Sequence, residues 1–241
     1  MSTWGIVAGG SGALGSAVTA GLVREGHRVL VLDRVTAPDD LDGTVSSVLV
    51  DLVDSAQVAK AVDDAVAEWG APSVLVNCQG WSPKDEEGVA IGDADMSAEM
   101  FTEALQVNLL TAFLTIRTVI PHMAAAGGGR VVSVSSASAR TGRTTAAAVY
   151  AAAKAGVEAL TRHFAVQYGS SGVLVGAVAP GKFVNPNWPD NSELVDAYQA
   201  EIPLGRRATP AEVAEAILYL ASASNTYLTG QTVLVDGGRL S

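Results

Sequence analysis

The sequence contains very little cysteine and little positive charge. Cys78 is the single cysteine among 241 residues, which excludes an intrachain disulfide framework and a cysteine-based metal cluster. Four lysines are present and the formal net charge is −10, whereas nucleic-acid and anionic-membrane partners both require a basic surface. No uninterrupted apolar run reaches the roughly 18 residues that span a bilayer. We therefore expect a soluble, cytoplasmic protein that acts on a small molecule and binds neither nucleic acid, membrane nor metal.

Nearly half of the residues are hydrophobic, and short apolar runs alternate with longer segments of helical periodicity along the whole chain. The short runs are nearly continuously apolar, as expected for strands that helices cover on both faces. This alternation predicts a single α/β domain, residues 1–241, with a doubly wound parallel sheet. The predicted strands are Trp4–Ala8, Arg28–Leu32, Ser47–Val50, Val74–Val76, Val131–Val134, Val173–Ala179 and Thr232–Val235. The predicted helices are Ala13–Glu25, Ser55–Trp69, Ala98–Met123, Ala147–Tyr168 and Ala211–Ala221. The stretches Trp81–Asp95 and Lys182–Ser192 are predicted loops.

A glycine-rich turn joins the first predicted strand to the first predicted helix. Gly10-x-Gly12-x-x-Gly15 has the spacing of a dinucleotide-binding fingerprint, in which glycines let the backbone approach a pyrophosphate. The N-terminus of the following helix supplies N–H donors and a positive partial charge for phosphate oxygens. A tight turn that binds no ligand can have the same composition. This turn lies between the first predicted strand and the first predicted helix, where dinucleotide binding requires it, and its position therefore favours a nucleotide site.

Asp33 ends the second predicted strand, 18 positions after Gly15. A carboxylate there accepts hydrogen bonds from the adenosine ribose and repels a 2′-phosphate, which favours NAD over NADP. Arg34 leaves NADP as an alternative, because an arginine at this position can neutralise that phosphate.

Tyr150 and Lys154 lie four residues apart and therefore share one face of a helix. A tyrosine with a reference pKa near 10 needs a shift of about three units to ionise near neutrality. One cation about 4 Å away supplies a shift of that size at an effective dielectric constant of 20. The two residues are a candidate acid–base couple. The alternative is that both side chains are exposed to solvent on the helix surface, since such residues have the same spacing.

Ser135 and Ser136 follow the fifth predicted strand, at the strand end that faces the ligand crevice in doubly wound folds. A hydroxyl there can hold a carbonyl or alcohol oxygen and stabilise developing charge. Ser136 is the candidate, and Ser138 is the alternative.

Together these residues resemble the short-chain dehydrogenase/reductase family, in its short-subunit branch, and the resemblance covers essentially the whole chain. It implies a single Rossmann-like domain with a seven-stranded, mostly parallel sheet and helices on both faces. It also implies an NAD(P)-dependent oxidoreductase that acts on CH–OH groups, in a homotetramer or homodimer. The further motifs that carry the resemblance are Asp51-Leu52, Asn77-Cys78-Gln79-Gly80, Asn108 in a Val-Asn-Leu setting, Pro180-Gly181, Thr229-Gly230-Gln231 and Val235-Asp236-Gly237-Gly238.

The resemblance also implies a role for each catalytic candidate. Tyr150 would exchange a proton with the substrate as hydride passes to or from the nicotinamide, while Ser136 would hold the substrate oxygen. Lys154 would lower the pKa of Tyr150 and bind the nicotinamide ribose, and Asn108 would support a water-linked proton path. The residues expected to contact the cofactor are Gly9, Ser11, Gly12, Leu14, Gly15, Asp33, Asp51, Leu52, Asn77, Gly80, Tyr150, Lys154, Pro180, Gly181, Phe183 and Asn185.

Several positions depart from the family pattern. Ala13 replaces the middle glycine of the turn. Gln79 stands where the family usually has alanine, and is expected to alter the wall near the cofactor ribose. Asn185 stands where a threonine commonly meets the carboxamide, and its amide keeps the capacity to hydrogen-bond.

The sequence names no substrate. Residues 81–95 and about 182–200 are expected to form variable loops that shape the substrate site. Trp81 and Trp188 would stack there on a sugar or aromatic ring, or pack the loops. An anionic substrate would meet Arg143, Lys84 and Lys182, although solvated surface charge is the commoner explanation for these three residues.

The residues and the resemblance favour an NAD(H)-dependent dehydrogenase of a secondary alcohol, such as a sugar, a polyol or a hydroxylated ring. A 3-oxoacyl-thioester reductase, acting on acyl-carrier-protein substrates, is the alternative because its sequence plan is similar. A non-catalytic NAD-binding module is a further alternative, but such a module has no need of both Tyr150 and Lys154.

Overall fold

Strands and helices alternate in the computed structural model, which describes residues 3–36, 43–86, 88–142, 146–185 and 192–240. The strands are β1 (Trp4–Ala8), β2 (Arg28–Asp33), β3 (Val45–Leu49), β4 (Val74–Asn77), β5 (Gly129–Val134), β6 (Val173–Pro180) and β7 (Thr232–Val235). The helices are α1 (Ala13–Arg24), α2 (Ser55–Trp69), α3 (Ala98–Leu105), α4 (Thr111–Ala125), α5 (Ala148–Tyr168), α6 (Ser192–Ala200) and α7 (Pro210–Ala221).

The seven strands of the described residues form one sheet in the order β3-β2-β1-β4-β5-β6-β7, and every neighbouring pair is parallel. The chain moves outward from β1 to β3 and then crosses to β4 on the other side of β1. In such sheets, ligands bind in the crevice at the carboxyl ends of the strands where this order reverses. The predicted Rossmann-like, doubly wound α/β fold is confirmed, and its crevice lies between β1 and β4.

Helices bury their apolar faces on both sides of the sheet. On one side α2, α4 and α5 contribute residues such as Val62, Ile120 and Phe164 to a hydrophobic core. On the other side α1 and α7 contribute Leu22 and Ile217. The two layers explain why the central strands β1 and β4 are buried along their whole length and, apart from Asn77, apolar.

Strand β3 differs from the prediction that every strand is covered on both faces. Val48 and Leu49 are exposed, because β3 pairs with β2 and ends the sheet. The strand also begins at Val45 rather than at the predicted Ser47.

A π-helical turn, Gln106–Leu110, divides the predicted helix Ala98–Met123 into α3 and α4. The prediction of a helix over Ala98–Met123 is confirmed, since the backbone stays helical to Ala125, but apolar periodicity did not reveal the π-helical turn or the side-chain bonds of Asn108 within it. By length and composition alone, Ala98–Ala125 could span a bilayer, but half of its most apolar part is buried inside the protein. Ile116, Val119, Ile120 and Met123 of this segment belong to the core, whereas Phe101 is exposed.

The two predicted loops have different outcomes. The first, Trp81–Asp95, is mainly irregular in its described residues, with one antiparallel bridge and a short 3-10 turn. The second region, about 182–200, includes α6, which was expected to be loop. Trp188 and Arg143 lie outside the described residues.

Candidate active site

Close backbone packing shapes the glycine turn after β1. Gly9 has a φ of 75°, and a Cβ there would lie 2.7 Å from the backbone nitrogen of Gln79. A Cβ on Gly15 would overlap the carbonyl oxygen of Gly9. In contrast, a Cβ on Gly12 would meet no described atom closer than 3.7 Å. The turn itself therefore requires glycine at positions 9 and 15, whereas Gly12 lines open space.

The first turn of α1 is open to an anion. Gly12 is the N-cap residue and has no side chain that could occupy the N–H groups of the first turn. The side chain of Leu14 is buried in the core, so its backbone N–H is the group that could serve a cofactor. A helix N-terminus with free donors fits the pyrophosphate of a dinucleotide.

The carboxylate of Asp33 is fixed beside the glycine turn by three backbone donors, the N–H groups of Ser11, Arg34 and Val35. Its Oδ2 atom accepts a hydrogen bond from Ser11 N at 2.9 Å, and its Oδ1 atom accepts one from Arg34 N at 2.7 Å. The Ser11 hydroxyl donates to the carbonyl oxygen of Val35 at 2.7 Å, which closes the turn onto the strand end. A carboxylate held at this position repels a second negative charge nearby, such as that of a ribose 2′-phosphate.

A cleft of about 450 Å³ lies along the carboxyl edge of the sheet. Its wall includes Asp33, which ends β2, and Asp51, which follows β3. Gly80 and Trp81, which follow β4, also line it. Leu52 also lines it, although this side chain is largely buried. The residues predicted to bind adenosine and the residues after β4 therefore share one cavity.

Gln79 lies in the wall of the same cleft and carries a buried acceptor without a donor. Its Nε2 atom donates to the hydroxyl of Thr111 at 3.1 Å, and that hydroxyl donates to the carbonyl of Val107 at 2.6 Å. The Oε1 atom of Gln79 has no hydrogen-bond partner among the described residues. Since an unpaired buried acceptor is costly, the cleft fits a ligand that brings a donor, such as a ribose hydroxyl or a carboxamide.

Asn77 makes its side-chain hydrogen bonds inside the core. Its amide nitrogen donates to Ser133 Oγ at 3.2 Å, and its Oδ1 atom accepts from the Thr115 hydroxyl at 2.7 Å. These bonds tie β4 to β5 and α4. They leave the backbone of Asn77 as the part that could meet a cofactor.

Asn108 holds the first residue of the 81–95 loop. Its Nδ2 atom donates to the carbonyl oxygens of Trp81 at 2.6 Å and Ala104 at 2.8 Å, and its Oδ1 atom accepts from Trp81 N at 3.1 Å. A Cβ on Gly80 would lie 3.4 Å from Asn108 Oδ1 and 3.2 Å from Lys154 Nζ. The glycine therefore lets both side chains approach the chain after β4. The π-helical turn points the Asn108 amide towards this site, which is a common use of such turns.

Two hydroxyl groups, those of Ser136 and Tyr150, are hydrogen-bonded to each other. Tyr150 lies in the first turn of α5, and Ser136 has an extended backbone just after β5. The Ser136 oxygen also accepts the backbone N–H of Ser138 at 3.1 Å. Burial raises the pKa of Tyr150, and the bond to Ser136 opposes this rise. The geometry favours Ser136 over Ser138 as the partner of the phenol.

Lys154 is almost completely buried, and two carbonyl oxygens hold its ammonium group. Nζ donates to Gln79 O at 3.0 Å and to Val134 O at 2.9 Å, and it lies 5.7 Å from the centroid of the Tyr150 ring. Burial lowers the pKa of Lys154 to about 8, and the nearby Cys78 thiol opposes this effect. The prediction that this lysine alone brings the pKa of Tyr150 near neutrality is wrong here. Its charge is directed at the carbonyls, and the cost of burying the phenolate dominates.

A charged pair beneath the two hydroxyls was not predicted from the sequence. Arg140 Nε donates to Glu158 Oε1 at 3.0 Å, and the Ser135 hydroxyl donates to the same oxygen at 3.1 Å. The Ser135 hydroxyl also lies 3.1 Å from Lys154 O. The pair therefore ties the segment after β5 to α5. No spacing in the sequence reveals this pair, because Arg140 and Glu158 lie 18 residues apart on different elements.

The loop after β6 is fixed at both of its described ends. Gly181 N donates to Val235 O at 2.9 Å, and Phe183 forms a parallel bridge with Ala208. Pro180 ends β6 at the carboxyl edge of the sheet. The predicted carboxamide loop therefore lies at the same edge as the cleft.

Comparison with known proteins identifies the family. A family model described as enoyl-(acyl carrier protein) reductase matches residues 8–239. The chain is 34% identical to the cis-4-hydroxycyclohexanecarboxylate dehydrogenase of Sinomonas cyclohexanicum, over 97% of this chain and 94% of that protein. The chain belongs to the short-chain dehydrogenase/reductase family. It is accordingly an oxidoreductase that acts on CH–OH groups of small molecules.

Solved structures of family members with bound cofactors share this fold. A 3-oxoacyl-[acyl-carrier protein] reductase from Brucella melitensis with bound NAD is 29% identical, with a TM-score of 0.86, over 98% of this chain and 90% of that chain. The protein ElxO with bound NADP has a TM-score of 0.91 at 24% identity, over 100% of this chain and 99% of that one, which is a likeness of fold. Proteins of this fold thus bind nicotinamide dinucleotides with or without a 2′-phosphate on the adenosine ribose.

Proposed function

We propose that the protein is an NAD-dependent dehydrogenase that interconverts a secondary alcohol and its ketone, with a sugar, a polyol or a hydroxylated ring as the alcohol. The observation that carries the proposal is the hydrogen bond between Ser136 and Tyr150 beside the buried Lys154. The relative from Sinomonas, whose name states a hydroxylated ring as its substrate, supports this substrate class.

The chain offers one group of residues for each part of the cofactor. The turn Gly9–Gly15 would hold the pyrophosphate, and Asp33 would accept hydrogen bonds from the adenosine ribose. Lys154 and Tyr150 would meet the nicotinamide ribose, and Pro180–Asn185 would meet the carboxamide. When it is bound, the nicotinamide ring supplies the hydride exchange with the substrate carbon.

The proton is handled by Tyr150, with Ser136 as the second contact of the substrate oxygen. Burial keeps the phenol protonated, which suits donation to a ketone. In the oxidising direction the phenol must first ionise, and the nearby charge of Lys154 stabilises the phenolate. Since the pKa of Lys154 is about 8, this charge is present at neutral pH.

Asn108 would help this proton transfer by holding the chain at Trp81. Its side-chain atoms are bonded to Trp81 and Ala104, so a direct contact with substrate would require these bonds to change. Trp81 packs against Ala104 and Val149 and also lines the cleft. We therefore propose that Trp81 forms part of the substrate wall.

The second candidate is a 3-oxoacyl-thioester reductase. The likeness to the Brucella reductase favours it. Because that reductase carries NAD, the fixed carboxylate of Asp33 suits both candidates where NAD is the cofactor, and it argues only against an NADPH-dependent reductase.

The first experiment follows reduced-nicotinamide absorbance with secondary alcohols, sugars, polyols and hydroxyacyl thioesters, in parallel with NAD and NADP. Turnover of one alcohol class with NAD supports the proposal. Turnover of acyl thioesters with NADP supports the second candidate instead. Cofactor binding without any turnover would favour a non-catalytic module.

We also propose that the protein is a cytoplasmic homotetramer or homodimer. Val166 on α5 and Tyr227 before β7 are 87% and 95% exposed, and a second copy would remove such apolar surface from water. Light scattering after size-exclusion chromatography tests this, and a mass near 24.6 kDa would contradict it.

A further inference from the structure

Arg239 follows β7, and its side chain is 2% exposed. A buried guanidinium without a partner would strongly destabilise the folded protein, so Arg239 needs groups that compensate for its charge. Its Nε and Nη2 atoms donate to Glu201 Oε2 at 2.9 and 2.6 Å. Its guanidinium also lies 4.1 Å from the centroid of the Tyr198 ring. An ion pair and a cation–π contact thus join the segment after β7 to α6 and its end.

The opposite end of Tyr198 reaches the loop after β6. Its hydroxyl accepts the backbone N–H of Lys182 at 2.7 Å. A Cβ on Gly181 would lie 3.1 Å from the same hydroxyl oxygen, so the contact is close. Because Gly181 also donates to Val235 O, the loop lies between β7 on one side and Tyr198 on the other.

The segment that carries Arg239 is held in place by its own hydrogen bonds. Asp236 accepts the N–H groups of Gly238 and Leu240, each at 2.9 Å. Gly237 and Gly238 both have positive φ, which permits the sharp turn before Arg239. The guanidinium is therefore presented to Tyr198 by a fixed turn.

From these contacts we infer that Arg239 is a positioning residue for the nicotinamide half of the cofactor and acts through Tyr198 on the loop after β6. The inference rests on the proposed function, in which Pro180–Asn185 meets the carboxamide. Arg239 holds the Tyr198 ring, and the Tyr198 hydroxyl holds the backbone at Lys182. The adenosine half, which binds at Asp33, is independent of these contacts.

The test compares a whole dinucleotide with a fragment that lacks nicotinamide. Titration calorimetry measures the affinity for NADH or NADPH, whichever the wild type binds more tightly, and for the matching ADP-ribose fragment. In the double variant Arg239→Met with Glu201→Gln, which removes both charges together, dinucleotide affinity falls about tenfold. Fragment affinity stays within about twofold.

Two further variants make the comparison sharp. Tyr198→Phe keeps the ring under Arg239 but removes the hydroxyl that accepts from Lys182. It weakens dinucleotide binding in the same selective way and keeps the test decisive if the double variant fails to fold. Arg24→Met removes an exposed ion pair with Glu215 on the α1–α7 side and leaves both affinities unchanged.

Either of two results in the variants overturns the inference: unchanged dinucleotide affinity, or an equal loss for dinucleotide and fragment. A wild type that binds neither ligand overturns the proposed function and the inference with it. The two failures are distinct because one is seen in the variants and the other in the wild type.

Discussion

The ammonium nitrogen of Lys154 donates to the carbonyl oxygen of Gln79 at 3.0 Å, across the opening between α5 and the chain after β4. Gln79 is also the residue whose Oε1 atom is buried without a described partner. The carbonyls of Gln79 and Val134 stabilise the charged lysine, yet burial still lowers its pKa to about 8. Burial therefore destabilises the charged form of Lys154. Such an arrangement is common where a charged group takes part in catalysis or binding.

Lys154 should make the stability of the protein depend on pH in a defined window. An unfolded lysine, with its ordinary pKa of 10.5, binds a proton between pH 8 and 10 that native Lys154 has released. The free energy of unfolding of the wild type, minus that of Lys154→Met, therefore rises with pH in this window. The slope approaches about 1 kcal/mol per pH unit.

Urea unfolding of both proteins from pH 7 to 9.5 measures this difference. Lys60→Met is the matched control, because Lys60 is exposed and paired with Asp64. A difference between wild type and Lys154→Met that stays flat or falls above pH 8 contradicts the prediction.

Tyr150→Phe should separate chemistry from binding. The variant loses the phenol proton and the bond to Ser136 but keeps the ring beside Lys154. The kcat falls by about a hundredfold or more, because a positioned acid–base group usually contributes at least a factor of this size. The affinity for NADH, measured by fluorescence titration, stays within about threefold because one hydrogen bond at most is lost. Retained turnover would remove Tyr150 from the mechanism.

Asp33→Asn should relax the choice between NAD and NADP. The amide oxygen can still accept from the backbone donors of one carboxylate oxygen, but the uncharged amide no longer repels a 2′-phosphate. The ratio of kcat/KM for NAD to that for NADP falls by about tenfold to a hundredfold, equal to roughly 1.4–2.7 kcal/mol. Asp63→Asn, on the exposed face of α2, is the control and leaves the ratio unchanged. An unchanged ratio in Asp33→Asn would mean that Arg34 decides the preference.

The sequence predicted the sheet well because its signals are local. Apolar runs located all seven strands, and the Ser55–Trp69 helix was predicted with its observed bounds. Helix α6 was missed because the residues just before it are rich in proline and asparagine, which are typical of loops. The π-helical turn at Asn108 was missed because its cause is a bond to Trp81, 27 residues away in the chain.

Distance along the chain also decides which site contacts the sequence predicted. Tyr150 and Lys154 are four residues apart, and a helix is enough to bring them together. The carbonyls that hold Lys154 and the ring that holds Arg239 come from distant parts of the chain. No spacing rule reveals such contacts, since they depend on how loops cross the edge of the sheet.

Cys78 should be unreactive in the native protein. Cys78 is partly buried in the wall of the cleft, and desolvation there raises the pKa of its thiol to about 12, although nearby Lys154 opposes this rise. Compared with an ordinary thiol, the thiolate fraction at pH 8 is roughly a thousandfold smaller, and the thiolate is the species that reacts. Reaction with a chromogenic disulfide is therefore slow in buffer and complete in denaturant. Rapid labelling of the folded protein would show that the thiol ionises readily and contradict the prediction.

Glu158→Gln should destabilise the protein and reduce turnover together. Glu158 is 8% exposed, and its carboxylate accepts from both Arg140 and Ser135. Removing its charge leaves the Arg140 guanidinium without its counterion, which costs about 2 kcal/mol for a partly exposed pair. Because the pair ties the segment after β5 to α5, kcat falls several-fold as Ser136 loses its fixed position.

A double-mutant cycle with Arg140→Met distinguishes this coupling from two separate losses. In the double variant neither charge is left unpaired, so part of the stability returns and the coupling energy exceeds about 1 kcal/mol. Urea unfolding measures the cycle, and kcat measured on the same four proteins reports the position of Ser136. If the two single losses of stability simply add, Arg140 and Glu158 do not act as a pair. If kcat is unchanged while stability falls, the pair supports the fold without positioning the serine.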